Sequence, residues 1–150
     1  MPALNHSPAD VARWLLVGLG LGSDPSLSQP WPAYIDEPDA PDSILWLDDT
    51  AGRIDGRLMP TGEVEVHKGL ILKVRDPLKK VAYQKIAAVV AGLLETTTAT
   101  YPRTVAIGSN SYCVYNLTLT SDVMTMGKET SSSKRSLYSA NFVIKVRELT

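Results

Sequence analysis

The chain has 150 residues, 21% of them charged, with a formal net charge of −1 and a single cysteine, Cys113. A domain of this length buries roughly 70% of the surface its unfolded form exposes, so it needs no disulfide, and one cysteine forms no internal bridge. The near-zero charge argues against bulk attraction to nucleic acid. With no run of about 18 apolar residues and no basic start followed by an apolar stretch, the expectation is a protein made in a cytoplasm, without a membrane span or secretory leader.

The first predicted element is a helix. Ser7 caps it, Pro8 fits the first turn where no amide donor is needed, and Asp10 favours the positive end of the dipole. Val11, Trp14, Leu15 and Leu19 follow at helical spacing, and the glycines of Gly18-Leu19-Gly20-Leu21-Gly22 end it. These glycines follow a helix and have the wrong spacing for a dinucleotide-binding turn, so no nucleotide site is read into them.

Residues 23–43 are rich in proline and acid, which predicts a long irregular strap pinned to the body by Trp31 and Tyr34. Its carboxylates match no calcium loop and read as a solvated face. Ser43 to Asp49 predicts a short strand, and Asp48 to Arg57 a turn-rich connection. Asp48 and Asp49 are adjacent in a strand and so point to opposite faces, poorly placed to share one substrate atom.

From Glu63 to Arg75 the pattern alternates: Val64, Val66, Leu70, Leu72 and Val74 on one face, and Glu63, Glu65, His67, Ile71, Lys73 and Arg75 on the other. Gly69 inside this strand signals a bulge or a close backbone approach. Asp76-Pro77 is predicted to open a second helix with the stripe Leu78, Ala82, Ile86, Val89, Val90 and Leu93. Lys79, Lys80 and Lys85 face outward, and Thr96-Thr97-Thr98 ends it.

Three strands follow: Thr104 to Ile107, Tyr112 to Thr120 with Cys113 as sheet filler, and Leu137 to Glu148. In the last, Tyr138, Ala140, Phe142, Ile144 and Val146 alternate with Ser139, Asn141, Val143, Lys145 and Arg147. A polar hairpin loop from Ser121 to Ser136 joins the final pair, and a connection that long suggests contact with a partner. The whole is one α+β domain spanning 1–150. It has a mixed, mostly antiparallel sheet of about five strands and two helices packed on it, in the order α-β-β-α-β-β-β.

No nucleophile elbow, phosphate loop or paired-histidine metal site appears, so no catalytic, cofactor or metal residue is assigned. Charge is uneven along the chain: residues 1–75 hold 6 basic against 11 acidic residues, and residues 76–150 hold 9 against 5. Opposite halves of this kind suit a subunit whose two ends meet different partners, or each other in a neighbouring copy.

Several phrases in order carry a resemblance. These are Trp31-Pro32-Ala33-Tyr34, then Asp55-Gly56-Arg57-Leu58-Met59, then His67-Lys68-Gly69 ahead of Lys73-Val74-Arg75, and last Tyr138-Ser139-Ala140-Asn141-Phe142-Val143-Ile144. From about Trp14 onward the chain resembles the tail terminator, or minor capsid, proteins of long-tailed bacteriophages. It departs from them at the hairpin, where a Gly-Arg pair is replaced by Ser-Ser-Ser-Lys134-Arg135-Ser.

The resemblance implies a structural virion protein rather than an enzyme. Such proteins form a hexameric ring that caps the tail tube, ends its polymerisation and docks to the head-tail connector of the neck, with genome DNA passing through the lumen without sequence-specific binding. Lys128, Lys134 and Arg135 are then the leading interface or lumen candidates, and Arg57, Lys73 and Arg75 are weaker ones for pairing between subunits. Because surface ion pairs contribute about 0–1 kcal/mol each, apolar contacts such as Ile71 would have to carry a ring. The alternatives are another neck or head-completion connector, or a small enzyme or ligand-binding module using carboxylates near Asp48 and Asp55.

Overall fold

The computed structural model describes residues 4–57, 64–95, 97–130 and 134–149, with side chains throughout these except at 53–57 and 64–66. The elements run α1 (Pro8–Gly18), β1 (Ala33–Tyr34), β2 (Ile44–Arg57), β3 (Val64–Asp76), α2 (Lys79–Leu94), β4 (Arg103–Ile107), β5 (Asn110–Lys128) and β6 (Ser136–Leu149). The class is α+β, and the strands form one curled, mixed sheet ordered β1-β2-β3-β6-β5-β4.

Five of these strands answer to the five expected; the sixth, β1, lies inside the strap and runs parallel to β2 through Ala33–Leu45 and Tyr34–Trp46. The strap is thus less irregular than its prolines suggest. A short 3-10 turn spans Pro25–Leu27. The Ala33 amide donates to the Ser23 carbonyl at 2.9 Å, and the Leu45 amide to that of Pro32 at 3.2 Å, so backbone groups that proline leaves without a helix find partners in the sheet.

α1 forms as its sequence dictates, with Ser7 as cap and its hydroxyl accepting from the Asp10 amide at 3.2 Å. α2 begins two residues later than Asp76-Pro77 suggested. The proline keeps Asp76 extended at the end of β3, and the Asp76 carboxylate accepts from the Leu78 amide at 2.8 Å. Both helices cover the same sheet face. Val11, Leu15 and Leu16 of α1 and Ala82, Ile86, Val89 and Leu93 of α2 share one core with Leu45, Leu47, Leu70, Leu72, Val74, Phe142 and Ile144. Fully burying each of the larger aliphatic side chains contributes about 1.5–3 kcal/mol.

The stretch expected to turn after Asp49 is instead the second half of a 14-residue strand. Its Asp and Gly residues are absorbed by register shifts between Thr50 and Arg53 and between Ile54 and Arg57. The close backbone approach expected at Gly69 is present. A β-carbon there would strike the Thr50 hydroxyl and lie 2.5 Å from the Ala51 carbonyl oxygen, and one on Gly52 would strike the His67 carbonyl.

The largest revision concerns the hairpin. Residues 121–128 are strand, not loop, and only 129–135 connect β5 to β6. Four register irregularities lie between these strands, so that β5 spends more residues than β6 over the paired length. Each bulge interrupts the alternation that would have marked a strand. Replacing Gly69→Ala should cost about 1–3 kcal/mol of stability, read from the shift in urea midpoint, because the Ala51 backbone as well as the Thr50 side chain stands in the way.

Candidate assembly surface

The sheet face opposite the helices carries Ile71, Lys73 and Arg75 of the residues singled out from sequence. Register places Asp48, Ile71, Asn141 and Ser121 in one row across β2, β3, β6 and β5, with Trp46, Lys73, Ser139 and Met124 in the next and Ile44, Arg75, Leu137 and Gly127 in a third. Ile71 is half-buried there. The Lys73 ammonium sits 3.1 Å from the Asp48 carboxylate and 5.8 Å from the centre of the Trp46 ring. Lys145 lies over Tyr115 on the same sheet, 5.9 Å from its ring centre.

Asp48 and Asp49 do face opposite ways. While Asp48 meets Lys73, Asp49 reaches the start of α1 and accepts from the Ala9 amide at 2.9 Å. A carboxylate at a helix N-terminus satisfies an orphan donor and the dipole together.

Arg75 and Arg135, expected among surface contacts, are both buried within their own chain, at 1% and 6% exposure. Arg75 donates to the Glu37 carboxylate at 3.2 Å and to the carbonyls of Pro41 at 2.7 Å and Asp39 at 3.4 Å. Arg135 grips Glu129 with two contacts, at 2.5 and 3.2 Å, and reaches the Asp39 carbonyl at 2.8 Å and the Asp42 carboxylate at 3.1 Å. Glu129 also lies 3.9 Å from Arg75, so one carboxylate serves two guanidinium groups.

Hydrogen bonding from Arg135 holds the Glu129 carboxyl below its ordinary range, against the opposing effect of burial. The same contacts raise the Arg135 guanidinium above its ordinary value. Ser43 bonds to Asp76 beside this cluster. These contacts fasten the strap and the β5–β6 connection to the sheet, which removes both arginines from the set of free surface groups.

Lys128 and Lys134, by contrast, are exposed at the hairpin end, the latter with a φ of 47°. The Arg57 side chain lies outside the described residues. Two exposed side chains near the same end went unremarked in the sequence: Met124 at 48% and Met126 at 50%. Leu78 and Tyr83 are exposed at the start of α2, and Tyr83 packs edge-on against Tyr138 at 5.7 Å. Tyr138 pairs in register with Thr125 of β5, which links the two regions.

Beside them β5 has an open edge. Among the described residues β4 pairs only with Asn110–Val114, so Asn116–Lys128 have a strand partner on one side alone. The bulges break this edge into short runs, which limits indiscriminate pairing.

Elsewhere Lys85, expected to face outward, is half-buried over Trp31 at 5.4 Å, and burial lowers its pKa. Cys113 is a free, half-buried thiol in the sheet, as its alternating setting implied. Among the described residues no three His, Cys, Asp or Glu side chains are grouped to hold a metal ion, and no helix is long and apolar enough to cross a membrane. No protein-family model and no curated protein matches this sequence.

The two classes of cation separate in a stability measurement. Arg75→Met should cost about 2–4 kcal/mol in urea denaturation, since it orphans buried carbonyls and a carboxylate. Lys73→Met, which breaks a partly exposed pair, should cost less than about 1 kcal/mol.

Proposed function

We propose that this chain is a ring-forming subunit of a virion, of the tail-terminator kind, which caps a finished tail tube and joins it to the neck connector. The observation that carries this reading is the hairpin end. The open edge of β5, the exposed Met124 and Met126 and the cations Lys128 and Lys134 all lie at one end of the sheet. Exposed apolar side chains beside unpaired backbone suit a protein partner far better than a small-molecule pocket.

A closed ring built head to tail needs two different patches on each copy. The acidic strap, with Asp39 and Asp42 exposed, adjoins the basic hairpin end through Arg135, so the two make one mixed-charge patch, and the second patch of the ring is a different face of the chain. The order of elements and the phrases around Trp31, Lys73 and Asn141 support the same assignment. On this reading the partners are further copies of the chain, the tube protein and the neck connector, and DNA crosses the lumen without base-specific contact. The place of action is the virion neck after assembly in a host cytoplasm.

Electron microscopy and native mass spectrometry of the purified protein, alone and with tube protein, test the proposal. Six-fold rings that cap or shorten tubes are expected, and a strictly monomeric protein that touches neither tube nor neck components would overturn it. The double substitution Met124→Asp with Met126→Asp should weaken ring formation about tenfold or more while leaving the circular dichroism spectrum unchanged.

A further inference from the structure

The two buried arginines do more than add stability, because of which parts of the chain they join. Residues 37–42 belong to the strap, and residues 129–135 connect β5 to β6; they are separated by about ninety positions in the sequence. Arg75 rises from β3 into contact with the strap at Glu37, Asp39 and Pro41. Arg135 leaves the connection and reaches the strap at Asp39 and Asp42, while its own amide and side chain are held by Glu129. The Glu129 amide closes the turn on the Arg135 carbonyl at 2.9 Å.

The Asp39 carbonyl thus accepts from both guanidinium groups, and the Glu129 carboxylate faces both. The charged groups around Glu129 are Arg135 on its own turn, Arg75 on β3, and Glu37 and Asp42 on the strap beyond them; Asp76 is held by Ser43 at the side. Two buried cations this close tolerate one another only through the carboxylate between them. Glu37 and Asp42 are themselves substantially exposed, with side chains at 43% and 67%, and are weak substitutes for it.

We infer that the strap at 37–42 and the β5–β6 connection form one latch, closed by the shared Glu129 carboxylate, and that the two segments are released together. Neither segment loosens alone, since freeing the strap strips Arg135 of Asp39 and Asp42, and opening the connection strips both arginines of Glu129. Release uncovers Arg75, whose guanidinium carbon lies 6.0 Å from the centre of the buried Trp46 ring.

The sign of the pH effect follows from the carboxyl group. Its acid form is disfavoured in the closed state, so the latch is fully closed above the ordinary glutamate value of 4.5 and opens as pH falls below it. This inference stands independently of the proposed ring.

Hydrogen exchange on the full chain at pH 7 tests it. Glu129→Gln should raise exchange at 37–42 and at 129–130 and 134–135 together by about tenfold or more, with the β3 amides from Leu70 to Val74 remaining the slowest in the protein. A second variant, Glu37→Gln with Asp42→Asn, changes only exposed strap residues and is expected to fold; it should speed exchange at 129–130 and 134–135 as well as in the strap, although it alters no residue of the connection and leaves the Glu129–Arg135 pair in place. Acidification should loosen both segments of the unaltered protein and have less effect on Glu129→Gln. Loosening of the strap alone in the double variant would overturn the inference, as would a rise in exchange spread evenly through the core.

Discussion

Every row of the core passes through β6. It lies between β3 and β5, and its Tyr138, Ala140, Phe142, Ile144 and Val146 are all buried on the helix side. Shifting the register by one position would turn this set outward and place Asn141, Val143 and Lys145 against α1 and α2, so burial of one face fixes the pairing on both sides. The helices, the strap and the open edge of β5 take their positions from that constraint.

What could be read in advance depended on whether a segment's partner lay nearby and its pattern ran unbroken. α1 carries its own cap and apolar stripe, and β3 and β6 alternate without interruption, so these were legible. β2 and β5 were not. The Asp and Gly residues of β2 look like a turn until β3 supplies a partner along its whole length, and the Ser, Thr and Met residues of β5 lose their period at each bulge. Polar composition was mistaken for a loop because an edge strand facing solvent has the same composition.

The arginines show a different limit. Arg75 stands at a strand end among outward-facing residues, and Arg135 follows a serine run, so local sequence describes both as surface groups. Their burial depends on carbonyls and carboxylates contributed by the distant strap, a relation that no local window contains. Glu129 carried no local signal at all. On the proposed reading, the surface offered to partners is correspondingly narrower than the charge pattern implied and centres on Met124, Met126, Lys128 and Lys134. An assembly built there would draw on apolar contact first and on charge for orientation.

The mismatch between β5 and β6 has a geometric meaning. Between their first and last paired positions, Ser111–Leu149 and Lys128–Ser136, β5 spends four more residues than its neighbour. Two bonded strips of unequal length must bend, as a bimetallic strip does on heating, and here the excess is covalent and permanent. Curvature in this sheet is therefore a matter of counting. Removing one bulge residue would flatten it by a discrete step while every β5 residue beyond that point kept its β6 partner and its facing, so the arc can be changed only in whole residues.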